Sequence, residues 1–94
     1  MAGLLRISGI AGGIYMITVL DVSKSGLRIQ CSRALDHGTR VEIQCHNFSI
    51  FGEIRYSRGM AAEEFHLGIE ATEVRAAAGL LSGEVDLLPL FPVT

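Results

Sequence analysis

Between Leu27 and Ala71, apolar and polar residues alternate in four separate segments. Leu27, Ile29 and Cys31 are interleaved with Arg28 and Gln30, and Val41, Ile43 and Cys45 with Glu42 and Gln44. Ile50, Gly52, Ile54 and Tyr56 alternate with Phe51, Glu53 and Arg55; Phe65, Leu67, Ile69 and Ala71 alternate with His66, Gly68 and Glu70. A period of two predicts strands with one buried face. On that pattern Tyr56 points inward and Phe51 outward. Ile14 to Leu20 is nearly all apolar and rich in β-branched residues, which predicts a strand covered on both faces. Leu4 to Ile10 reads as a weaker first strand, turned by Ala11-Gly12-Gly13.

Short polar pieces punctuate these segments: Ser23-Lys24-Ser25-Gly26, Asp36-His37-Gly38 and Ser57-Arg58-Gly59. Short strands joined by such turns predict an antiparallel barrel or sandwich, since closing a sheet removes its edges. One helix is expected late in the chain. Thr72 is placed to cap it, Glu73 suits its positive end, Val74, Ala77, Ala78 and Leu81 share a face, and Gly83 stops it.

Length and composition narrow the class. Ninety-four residues, 49% of them apolar and 19% charged, make one domain (1–94) with its own core. The net charge of −2 argues against a non-specific DNA or RNA binder. The uncharged run from Ile7 to Leu20 is too short and too interrupted by glycine to span a membrane. Two cysteines do not make a disulfide framework, so a reducing cytoplasm is the expected location. In a simple hairpin about Asp36, Cys31 would face Val41 rather than Cys45, which leaves both thiols free.

Enzymatic chemistry is not expected. Asp21, Ser23 and His37 contain the residue types of a hydrolytic triad, but no nucleophile elbow accompanies them. No metal-ligand spacing joins His37, His46, His66, Cys31 and Cys45, so no metal or cofactor is expected. Asn47-Phe48-Ser49 matches a glycosylation triplet by chance. The glycine-rich stretch from Gly9 to Gly13 lacks the lysine and hydroxyl ending of a phosphate loop.

The remaining candidate is Asp21-Val22-Ser23-Lys24-Ser25-Gly26, between an apolar strand and an alternating one. The Asp21 carboxylate can accept the paired N–H groups of a guanine edge, and Ser23 can donate to a phosphate or base. Gly26 permits a positive φ and close approach of a ligand. The same residues also serve as ordinary turn formers.

This hexapeptide resembles the [DN]-x-S-x-x-G motif of the PilZ domain family. Gly26-Leu27-Arg28-Ile29, Leu35-Asp36-His37-Gly38-Thr39-Arg40-Val41, Gly52-Glu53-Ile54-Arg55 and Phe65-His66-Leu67-Gly68-Ile69 resemble the family's later motifs, in order, over roughly residues 14 to 71. The resemblance implies a mainly β protein, a six-stranded antiparallel barrel (about 4–71) with one C-terminal helix (about 73–82), here followed by an extended tail (about 85–94). It implies a bacterial signalling domain that binds cyclic di-GMP through Asp21, Ser23 and Gly26 and relays binding to a partner.

The family's second motif, R-x-x-x-R before the first strand, is missing. Arg6 is the only arginine near the N-terminus, and Ala2 stands four positions earlier. Two lost charge-assisted contacts would cost about 3–6 kcal/mol, or two to four orders of magnitude in affinity. Three readings follow: a variant that does not bind nucleotide, a chain whose arginines lie upstream of its first residue, or a site in which Lys24, Arg28, Arg55 or Arg58 substitutes. The alternative function is a nucleotide-independent adaptor or homodimer. Its contact would be the apolar tail of Val85, Leu87, Leu88, Leu90, Phe91 and Val93, unless that tail folds back to complete the core.

Overall fold

Alternation becomes pairing in the computed structural model, which describes residues 1–9, 13–46, 48–76, 79–80 and 85–91. The strands are β1 (Ala2–Ile7), β2 (Ile14–Val22), β3 (Gly26–Cys31), β4 (Arg40–Cys45), β5 (Phe48–Ala61) and β6 (Glu64–Ala76), with a two-residue β7 (Gly79–Leu80) paired to the end of β6. Their order is β3-β2-β1-β4-β5-β6, every pair is antiparallel, and β3 also pairs with β6. That last pairing closes a six-stranded barrel and leaves neither of its members as an edge.

The alternating apolar residues line the interior. Leu5, Ile29, Ile43, Ile50, Ile54 and Leu67 are fully buried there, and no polar side chain of the described residues is. An eight-strand barrel is only just wide enough for side chains to fill, so six strands leave no room for an internal ligand. Any binding site has to lie on the outside.

Several sequence expectations change. The order places β2 and β1 between β3 and β4, so these two consecutive strands do not form a hairpin and Cys31 does not face Val41. Cys31 and Cys45 are both buried and free, as expected. No α-helix occurs among the described residues. Glu73 to Ala76 continue β6, where Val74 is buried opposite Ile50 while Glu73 and Arg75 point outward and pair at 2.8 Å. The expected cap, Thr72, instead donates its hydroxyl to the Phe51 carbonyl across the sheet. Strand pairing with the long β5 gives these residues both a ladder and a buried face, which outweighs their helix propensity. Residues 77, 78 and 81–83 of the expected helix lie outside the described residues, as do Asn47 and Val93.

Strand β2 is not covered on both faces. Ile17 and Val19 point in, but Leu4 of β1 and Ile14, Met16 and Leu20 of β2 lie exposed on the outer face, Met16 at 80%. The Ser57-Arg58-Gly59 segment is part of β5, which runs on to a reversal at Ala62-Glu63. The C-terminal segment is neither wholly extended nor exposed. Leu87 is fully buried, Leu88–Leu90 form one 3-10 turn, Val85 and Leu90 pack on the core, and Phe91 sits edge-on to Phe48 at 5.4 Å. Among the segment's described residues, Leu88 is the one large apolar side chain that is exposed, at 52%. The segment therefore completes the core, one of the two outcomes open from its composition.

Candidate functional site

The β2–β3 turn is held from three directions. Within it, the Ser23 N–H donates to the Gly26 carbonyl at 2.8 Å and the Ser23 hydroxyl donates to the same oxygen at 3.2 Å. From β6, the Ala71 N–H donates to the Ser25 carbonyl at 2.8 Å, and from the C-terminal segment the Leu87 N–H donates to the Lys24 carbonyl at 2.8 Å. Ser23 thus shapes the turn. Gly26 is required for a different reason than a positive φ, which it does not have. A Cβ there would stand 2.7 Å from the Ile69 carbonyl oxygen, so only glycine lets β6 come this close.

Two β-bulges build the wall beside the turn. The β2–β3 register shifts between Val19 and Asp21. Strict alternation would put Asp21 inside with Val19; the shift puts Leu20 and Asp21 outside together and returns Val22 toward the core. The β5–β6 register shifts in the same way between Ile54 and Tyr56. Ile54 is fully buried and Tyr56, expected inward, is 44% exposed. Both bulges aim a polar or aromatic side chain at one patch of outer surface.

Gly68 is the floor of that patch. It lies between Arg28 of β3 and Tyr56 of β5 in the pairing. A Cβ on Gly68 would collide with the Tyr56 ring, so the ring packs against the bare backbone of β6. Asp21, Ser23, Gly26, Arg28, Arg55 and Tyr56, together with Glu70, border one surface cavity of about 300 Å³. The turn residues named from the sequence and two of the four candidate cations, Arg28 and Arg55, are thus brought together. Lys24 and Arg58 are not among the described residues lining this cavity.

The cavity's charges are already matched. Arg28 Nη2 meets Asp21 Oδ2 at 2.5 Å, and Arg55 Nη2 meets Glu70 Oε2 at 3.2 Å. All four side chains are about half exposed, so each pair is worth about 0–1 kcal/mol and exchanges readily. The Arg28 Nε is buried and has no hydrogen-bond acceptor among the described residues. Glu70 was legible as outward-facing from its alternation. Tyr56 was not, because a bulge leaves no mark in a period-two pattern.

No group of three or more metal-ligating side chains occurs among the described residues. No described helix is long and apolar enough to cross a membrane. Comparison of the chain with protein-family models, with curated proteins and with solved structures returned no match.

Proposed function

We propose that this chain is a PilZ-type regulatory domain whose outer-surface cavity binds cyclic di-GMP. The observation that carries this reading is the convergence of Asp21, Ser23, Gly26, Arg28 and Arg55 on one cavity. Asp21 accepts the N–H pair of a guanine edge in place of the Arg28 guanidinium. Arg28, released from Asp21, then faces a ligand phosphate, and its unpaired Nε gains an acceptor. The exchange keeps every charge partnered, which supports binding without the family's N-terminal arginine pair. The bonds from the turn to Ala71 and Leu87 offer the route by which an occupied site alters the C-terminal segment and a partner bound there.

Isothermal titration with cyclic di-GMP, with cyclic di-AMP and GTP as controls, tests the reading. Selective heat in the micromolar range is the expected result; silence at millimolar ligand overturns it.

A nucleotide-independent docking role is the second reading, favoured by the uncovered apolar face of Leu4, Ile14, Met16 and Leu20. That face replaces the C-terminal tail as the candidate contact, since most of the tail is folded in. An exposed apolar cluster of this kind marks interaction surfaces on soluble domains.

A further inference from the structure

Beyond Tyr56 and Arg28 the same outer surface opens into a second, larger bay. It measures about 760 Å³, and Ser57, Arg58, Gly59, Met60 and His66 form its other walls. Pairing explains the continuity. One cross-strand row holds Arg28, Gly68 and Tyr56, and the row two positions on toward the β5–β6 reversal holds Gln30, His66 and Arg58. Tyr56 and Arg28 line both bays.

The two bays differ in charge. In the first, two carboxylates match two guanidinium groups. No carboxylate lines the second among the described residues, and Arg58 has no ion pair or hydrogen bond there. His66 faces Glu64 only at 3.8 Å, and Arg28 brings an unsatisfied Nε to the boundary. A nucleotide carries a flat neutral base and an anionic phosphate. The first bay suits the base, through Asp21; the second suits the phosphate.

We propose that Arg58 is a phosphate-binding residue, and that the second bay holds the phosphate ester of the nucleotide whose base occupies the first. The assignment of base to first bay rests on the function proposed above. Tyr56 is then the shared wall, with one face available to a base or to the Arg58 guanidinium. Ser57 and His66 add hydrogen-bond donors around the phosphate oxygens. The cation that the missing N-terminal pair would supply comes instead from the β5–β6 hairpin.

The test titrates the whole chain and three variants with cyclic di-GMP. Arg58→Ala weakens binding by roughly tenfold to a hundredfold, the worth of one charge-assisted contact. Arg58→Lys recovers part of the loss, because the charge returns without the planar fork. Arg75→Ala, a charge-matched change at a residue paired with Glu73 and outside both bays, leaves affinity unchanged. If Arg58→Ala binds like the parent chain while Asp21→Ala does not, the phosphate assignment falls and the guanine site stands. If the parent chain binds no cyclic di-GMP, the guanine reading falls, and the bay is judged with inorganic pyrophosphate followed by amide NMR. Shifts confined to Ser57, Arg58, Gly59 and His66 support an anion bay; their absence overturns it.

Discussion

The backbone N–H of Leu87 donates to the carbonyl of Lys24 at 2.8 Å, tying the C-terminal segment to the middle of the candidate ligand turn. Leu87 is fully buried, so this bond anchors a side chain that belongs to the barrel core. Turn, barrel end and C-terminal segment form one mechanical unit.

Leu87→Ala therefore costs about 2–5 kcal/mol of stability, the range for removing a fully buried leucine. Leu88→Ala, one position on and exposed, costs less than about 0.5 kcal/mol. Urea unfolding of the two variants checks the contrast. Equal midpoints would mean that the segment does not complete the core.

Gly26→Ala and Gly68→Ala separate backbone from side-chain crowding. At Gly26 the new methyl meets a backbone oxygen of β6, which cannot move without opening the β3–β6 seam, and about 1–3 kcal/mol is lost. At Gly68 it meets the half-exposed Tyr56 ring, which can swing away. Gly68→Ala is the milder change for thermal stability but the harsher one for ligand binding, as calorimetry of both properties would show.

Asp21→Ala leaves stability within about 1 kcal/mol, because the Arg28 pair is solvent-exposed. On the proposed function, cyclic di-GMP binding falls at least about tenfold, because Asp21 is the proposed guanine acceptor. Titration and thermal melting of the same sample distinguish a ligand contact from a structural role.

Burial pushes the Cys45 thiol above its ordinary value of 9.0, with the Met1 ammonium opposing in part. The folded state thus holds the proton more tightly than the unfolded one. Stability from this group is intact below pH 9.0 and declines above it, where the unfolded chain releases the proton first. A thiol reagent at pH 8 should modify Cys45 only at the rate of unfolding. Rapid labelling of the native protein would contradict the burial.

Met16→Glu leaves the fold intact, since the side chain is 80% exposed. It abolishes any self-association or apolar-dye binding through the β1–β2 outer face, read by sedimentation velocity and by fluorescence. Unchanged values would remove that face as a docking surface.

Legibility followed the range of the interaction. Leu27, Ile29, Val41, Ile43, Leu67 and Ile69 are inside as their alternation predicts, because side-chain direction in a strand is a local property. The Asp21–Gly26 turn was likewise visible from residue types. Arg28 and Arg55 were named as cations, yet their carboxylate partners came only with the exact registers of the β2–β3 and β5–β6 hairpins, each shifted by a bulge. The Glu73–Leu81 segment carried a helical spacing, but Val74 finds its burial opposite Ile50, more than twenty positions earlier.

By itself the sequence determined the mainly β class, the inward set of most strands and the candidate turn, all set by neighbours one to four residues apart. Tertiary structure decided the β3–β6 closure, the Leu87 plug, the bare outer face of β2 and the two bulges that turn Asp21 and Tyr56 onto one surface. The physical reason is that a bulge or a closure is chosen by the fit between strands. One extra residue on one strand reverses every direction after it, and only the partner strand shows where that residue lies.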